Sequence, residues 1–209
     1  MLLVPTCPVC LRRGVALCDE CARALRPAPA LPPPRGVDVC LALLDYEGAG
    51  RELVARLKYR NLRTLLPRLA AAMASLLAGE PPVDVLTWAS TATARRRRRG
   101  FDQAELLARG VGARIGLTPR PLLARRPGQA QTGRSLAERR TGPVFACPQA
   151  RLAGHVVVVD DVVTSGATAA AAAGALRAAG MTRVTVLAAA RTSLKRSHPN
   201  SDTLRDATE

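Results

Sequence analysis

The chain has 209 residues, 48% hydrophobic and 22% charged, enough for one large or two small domains with a core that needs no disulfide staples, which excludes wholesale disorder. Thirty-one basic against 16 acidic residues give a formal charge of +15, which suits an anionic partner, either a nucleic acid or a small polyphosphate. No apolar run approaches the roughly 18 residues of a membrane span, and the first residues lack the basic region and long apolar stretch of a signal peptide; a cytoplasmic protein without membrane insertion is expected.

Cys7, Cys10, Cys18 and Cys21 follow the spacing C-x2-C-x7-C-x2-C. Each C-x2-C turn can aim two thiolates at one ion, and two such turns complete a tetrahedral zinc site. Four cysteine ligands leave no open position, so a zinc held here is structural. The alternatives are unrelated thiols or a redox pair. Pro27, Pro29, Pro32, Pro33 and Pro34 then mark residues 26–36 as an extended, stiff linker between a 1–25 tetracysteine module and the rest.

From residue 37 the pattern alternates. Residues 37–46 read as a strand and 48–59 as a helix with Leu53, Val54 and Leu57 on one face. Leu62, Leu65, Leu66, Leu69, Met73, Leu76 and Leu77 recur at helical spacing. Residues 83–88 form a buried strand. Asp102 caps the next helix with Glu105 three residues on, and Ala104, Leu107, Ala108, Val111 and Ile115 mark its buried face. Leu122 and Leu123 begin another strand, and residues 126–143 have no period and read as a long loop.

Residues 156–159 are four consecutive valines, a strand buried on both faces of a parallel sheet. A turn over 160–168, an alanine-rich helix over 169–179 ended by Gly180, and a strand over 184–187 follow. Strand–helix–strand repetition predicts an α/β domain over 37–191, with a polar tail over 192–209. His155 and His198 are too isolated for a triad, and Cys40 and Cys147 read as small core residues. Gly110, Gly112 and Gly116 miss the dinucleotide-binding spacing.

The chemistry lies in Asp160, Asp161, Thr164, Ser165, Gly166, Ala167 and Thr168. Two carboxylates at the carboxyl edge of a strand sit where open α/β sheets bind ligands. The loop after them is rich in hydroxyls and leads into a helix N-terminus, a ready anion cradle. Gly166 lets the backbone approach the anion without a Cβ in the way. The carboxylates would repel a phosphate and so accept hydrogen bonds from sugar hydroxyls. Phosphate on one side and a diol on the other describe a ribose 5-phosphate.

This run resembles the thirteen-residue phosphoribosyl pyrophosphate (PRPP) signature of type I phosphoribosyltransferases: four hydrophobics, two acids, two hydrophobics, then Thr-Ser-Gly-Ala-Thr. The whole chain resembles the ComF family, phosphoribosyltransferase-like proteins linked to DNA uptake in competence. The tetracysteine module, Leu57-Lys58-Tyr59, Arg99-Gly100-Phe101-Asp102-Gln103 and a stretch over 131–140 similar to the family's mobile loop carry that likeness, which spans nearly residues 7–190. Trp88-Ala89-Ser90 stands where many relatives have a Val-Pro pair.

The resemblance implies a type I phosphoribosyltransferase-like parallel sheet flanked by helices, with a small N-terminal zinc-binding module. It implies transfer of ribose 5-phosphate from PRPP, with Mg²⁺ on the donor. Asp160 and Asp161 then hold the ribose hydroxyls and favour a cation-like carbon, and the 164–168 loop holds the 5-phosphate. Arg99, with the rest of 95–99, is a candidate for the pyrophosphate, and Lys58 is a further candidate substrate contact. Other readings stay open: a solvated charge run or nucleic-acid patch for the arginines, an exposed helix-end cation for Lys58. The second function class is a non-catalytic competence factor that contacts single-stranded DNA and a helicase partner. Residues 91–142 hold 13 arginines against Asp102, Glu105 and Glu138, which supports it, while the chain's few aromatic residues weigh against a stacking platform for bases.

Overall fold

The four valines at 156–159 lie in the interior of a four-stranded parallel sheet, nearly inaccessible on both faces. The computed structural model describes residues 4–57, 65–90, 101–125, 143–149 and 151–193. The sheet is built from β1 (Val39–Asp45), β2 (Val85–Trp88), β5 (His155–Val163) and β6 (Arg183–Arg191), in the spatial order β1-β6-β5-β2. Val157 pairs with Thr185 on one side and Leu86 on the other, and Val39 also pairs with Thr185. Burial on both faces explains why the central strands read as continuous apolar runs rather than alternating ones.

Helices cover both faces, as parallel crossovers require. On one face lie α2 (Gly48–Arg56), α3 (Leu66–Ser75, followed by a 3₁₀ turn over Leu76–Gly79) and α4 (Gln103–Ile115). Leu53, Val54, Leu69, Met73, Leu107 and Val111 form a core there with Val157, Val159 and Leu187. On the other face α5 (Ala167–Ala178) sends Ala169, Ala172, Ala173 and Leu176 against Val156, Val158, Val184 and Val186. A two-stranded ribbon, β3 (Ala124–Arg125) with β4 (Phe145–Ala146), joins that layer. Its first strand starts two residues later than Leu122 and Leu123 suggested; both leucines are buried in the core instead.

The helix expected over 48–59 ends at Arg56 with Leu57 as its C-cap, residues 58–59 lying outside the described residues, as does Leu62 of the next apolar stripe. Asp102 caps α4 as expected, accepting from the Ala104 amide at 3.1 Å. Glu105 pairs with Arg109 one turn on, at 2.7 Å. Gly110 and Gly112 serve packing: a Cβ on Gly110 would come 2.6 Å from the Ala70 methyl of α3.

The proline-rich stretch is a strap across the domain. The Asp45 amide donates to Arg26 O and the Ala28 amide to Leu43 O, so its first residues line the outer edge of β1. That edge is thereby shielded from foreign strands. Near the other end, the Val37 amide donates to Pro34 O. Val9, Leu17 and Leu25 of the N-terminal segment rest against the α2–α3–α4 core. Among the described residues no helix is long and apolar enough to cross a membrane.

His155 is a buried structural residue. Its Nε2 lies 2.9 Å from the Thr185 hydroxyl, and its Nδ1 lies within 3.2 Å of the Pro81 and Pro82 carbonyls. These groups stitch the amino edge of the sheet to the segment before β2. His198 lies outside the described residues. Cys40 and Cys147 are half-buried against the α5-side core, as expected.

Candidate functional site

Asp160 and Asp161 were expected in a turn that begins at residue 160. The strand instead runs on to Val163, because β6 continues to supply partners: Ala188 opposite Asp160, Ala190 opposite Val162 and Arg191 opposite Val163. The turn occupies residues 164–166, and α5 begins at Ala167 rather than 169.

The strand is irregular at the two acids. The Asp161 amide donates to Asp160 Oδ1 and the Val162 amide to Asp161 Oδ1, both at 2.8 Å. Val157 and Val159 face the α4-side core and Val156 and Val158 the α5-side core, yet Val163 joins the α5 side and Val162 the α4 side. Strict alternation would put residue 163 with 157 and 159. The facing therefore slips by one residue across Asp160 and Asp161. The Asp161 carboxyl lies near enough to Asp160 to push its carboxyl upward, although successive strand residues ordinarily point apart.

Asp160 is 9% exposed. Burial pushes its carboxyl well above the ordinary range, and the neighbouring Asp161 charge pushes the same way. A smaller upward push comes from Asp102, the N-cap of α4, which is itself buried. In the sequence Asp102 reads as a helix cap and as part of the 99–103 motif, not as a neighbour of the acidic pair. Its place beside the acidic pair follows from β2 lying next to β5, so that the helix after β2 starts at the same sheet edge.

Thr164 and Ser165 are exposed, Gly166 is buried, and Ala167 and Thr168 are half-buried. Gly166 is the N-cap of α5 with φ of +76°, so it offers the first helical turn no side-chain acceptor. The Ala167 amide reaches the Ser165 hydroxyl at 3.4 Å. The helix end points its amides at this loop, the arrangement that attracts an anion. The reason expected for the glycine needs correcting, however. A Cβ there would come 2.8 Å from Pro34 Cγ, so the strap, and not an open anion space, lies on that side. Glycine is needed for the left-handed backbone and for the proline's close approach.

Arg191 also belongs to this neighbourhood; the strand expected over 184–187 runs instead from Arg183 to Arg191, and in the sequence Arg191 has no role beyond closing the 37–191 domain. It is 7% exposed, and its guanidinium donates to Leu31 O at 3.0 Å and Pro32 O at 2.5 Å. Burial raises the Cys40 thiol, which sits near enough to feel both Arg191, pulling it down, and Asp160, pushing it up. Lys58, Arg99 with the rest of 95–99, and the 131–140 stretch lie outside the described residues.

The cysteines form a second site. The Sγ atoms of Cys7, Cys10, Cys18 and Cys21 all lie within 4.8 Å of one another, a set that can hold one metal ion. Cys10 and Cys18 Sγ are 3.6 Å apart, close to the roughly 3.8 Å edge of a tetrahedron with metal–sulfur bonds of about 2.3 Å. The first pair sits on a tight turn closed by Leu11 N to Cys7 O and Cys7 N to Arg12 O, both 2.9 Å. The second pair frames the start of α1 (Asp19–Arg23), with Cys18 as its N-cap. Burial raises both Cys7 and Cys21. For Cys7, amides of Cys10, Cys18 and Val9 outweigh it and bring the thiol down to about 6. Cys21 is pushed up to about 12 by burial and then by its sulfur neighbours. A metal ion held by the four sulfurs would favour their deprotonated forms.

No protein-family model matches the chain, and no curated protein matches it significantly. Among solved structures it is similar to one described as the allosteric regulatory enzyme of purine biosynthesis. The two are 19% identical, with a TM-score of 0.43 over 65% of this chain and 30% of the other. This chain thus spans under a third of that protein's length.

Proposed function

We propose that the chain binds phosphoribosyl pyrophosphate and is a phosphoribosyltransferase-like protein of the ComF type. The observation that carries this reading is the thirteen-residue run at 156–168. Its two acids lie near the carboxyl end of a central parallel strand, and its hydroxyl-rich turn opens a twelve-residue helix. Asp160 and Asp161 accept from the ribose hydroxyls, and residues 164–168 hold the 5-phosphate through amides and hydroxyls. Two close carboxyls in a buried setting favour a developing positive charge on the ribose carbon. As the bond from that carbon to pyrophosphate breaks, a bond to the acceptor forms and pyrophosphate leaves. Arg99 and Lys58 are the candidate cations for the departing anion. The carboxylate oxygens fit a hard cation, so Mg²⁺ arriving with PRPP is compatible with the pair; bound there, it would neutralise pyrophosphate charge. Zinc held by Cys7, Cys10, Cys18 and Cys21 is structural, because all four positions are filled by the protein.

Titration calorimetry with PRPP and with ribose 5-phosphate, each with and without Mg²⁺, tests this. Binding of both, with PRPP strengthened by Mg²⁺, is expected; no binding of either at millimolar concentration refutes it. A second reading is favoured by the net charge of +10 on residues 91–142. It is a non-catalytic competence factor that contacts single-stranded DNA and a helicase. PRPP consumption by the purified protein separates the two. Phosphate contacts alone would give DNA binding that weakens steeply with salt and has little sequence preference.

A further inference from the structure

The strap over residues 31–34 and the anion loop are joined by one buried side chain. Pro32, Pro33 and Pro34 have no amide hydrogens, so this stretch of strap offers acceptors and almost no donors. A guanidinium is the complement, with five donors and no acceptor. Arg191 takes that place with donation to Leu31 O and Pro32 O. Two residues further along the strap, the Pro34 ring lies against the face of Gly166 where a side chain would otherwise project.

The other end of the loop is tied to the same point. Thr192, next after Arg191, donates its amide to Val163 O at 3.0 Å and its hydroxyl to Thr164 O at 3.3 Å. Residues 164–166 are thus bracketed by Thr192 at their entry and by Pro34 at their exit. Both brackets trace to the carboxyl end of β6.

We propose that Arg191 is a positioning residue for the anion loop: through the strap, it holds Gly166 in the left-handed conformation from which α5 presents its first amides. The proposal rests on the phosphoribosyl reading of that loop. Arg191, nearly buried and bonded to the strap, acts through the loop's shape.

The test measures ribose 5-phosphate affinity by calorimetry for wild type, Arg191→Met, Arg191→Lys, Pro34→Ala and the Arg191→Met/Pro34→Ala double variant. Hydrogen exchange of peptides covering residues 164–172 is followed in each. Arg191→Met should bind roughly tenfold more weakly, the usual scale for losing a supporting contact behind a binding group, and exchange in the peptide should quicken. Arg191→Lys, which keeps the charge and a donor, should recover part of the loss. If the strap carries the effect, Arg191→Met should cost little more once Pro34 is alanine, whereas independent effects would add. Wild-type affinity and exchange in Arg191→Met, or full additivity in the double variant, overturns the proposal while the phosphoribosyl reading stands. Failure of wild type itself to bind ribose 5-phosphate overturns that reading and the positioning role with it.

Discussion

Asp160→Asn should make the protein more stable and a worse binder. The Asp161 amide now donates to Asp160 Oδ1, and asparagine keeps that acceptor. Its amide hydrogens can donate to the adjacent Asp161 carboxylate, as a protonated Asp160 would. What the substitution removes is a charge that burial, and then Asp161, oppose. Because the folded-state pKa is raised, Asp160 weighs nothing against the fold below about pH 4, where it is protonated both folded and unfolded. As pH rises, the unfolded chain ionises freely while the folded one resists, and stability is lost until the raised value is passed. The variant's advantage should therefore be absent at acid pH and complete above that value. Relief of an imperfectly compensated buried charge is worth about 1 kcal/mol or more, which for about 200 residues is 2–4 °C in Tm. Binding should move the other way. Loss of a charge-assisted hydrogen bond costs about 1.5–3 kcal/mol, or roughly tenfold to a hundredfold in Kd for ribose 5-phosphate. Urea denaturation from pH 4 to 8, followed through the sole tryptophan, Trp88, measures the first effect and calorimetry the second. A variant less stable than wild type at neutral pH, or a stability difference that does not change with pH, would refute the reasoning.

Cys18→Ser should lose one equivalent of zinc, seen by metal analysis, and lower Tm, because Val9, Leu17 and Leu25 rest on the domain core. Zinc-free wild type from careful preparation would contradict it. Gly166→Ala should destabilise the apo protein by about 1–3 kcal/mol, from the left-handed backbone and the 2.8 Å approach to Pro34; circular dichroism melts measure it, and Pro34→Ala should return only the steric part. Leu176→Ala removes a fully buried side chain between α5 and the sheet and should cost about 2–5 kcal/mol in urea unfolding.

Much of this molecule is legible along the chain, wherever neighbours in sequence settle the matter. The valine run, the apolar stripes of α3 and α4, the Asp102 cap and the paired cysteines are all local signals: a period, a cap or a two-residue spacing states what the backbone will do. The strand–helix–strand order likewise implies a parallel sheet, because parallel neighbours need a crossover. Tertiary structure decided the rest. Where β5 ends depended on β6 still offering partners at Ala190 and Arg191, and that is a contact 28 residues away in sequence. The close approach of Asp160 and Asp161 came from the slip in facing, which the residue types do not announce. Asp102 joined them because β2 pairs with β5, and Pro34 met Gly166 because the strap crosses the domain. Each of these depends on which distant segments pack together, a matter of shape and burial over the whole core that no local window contains.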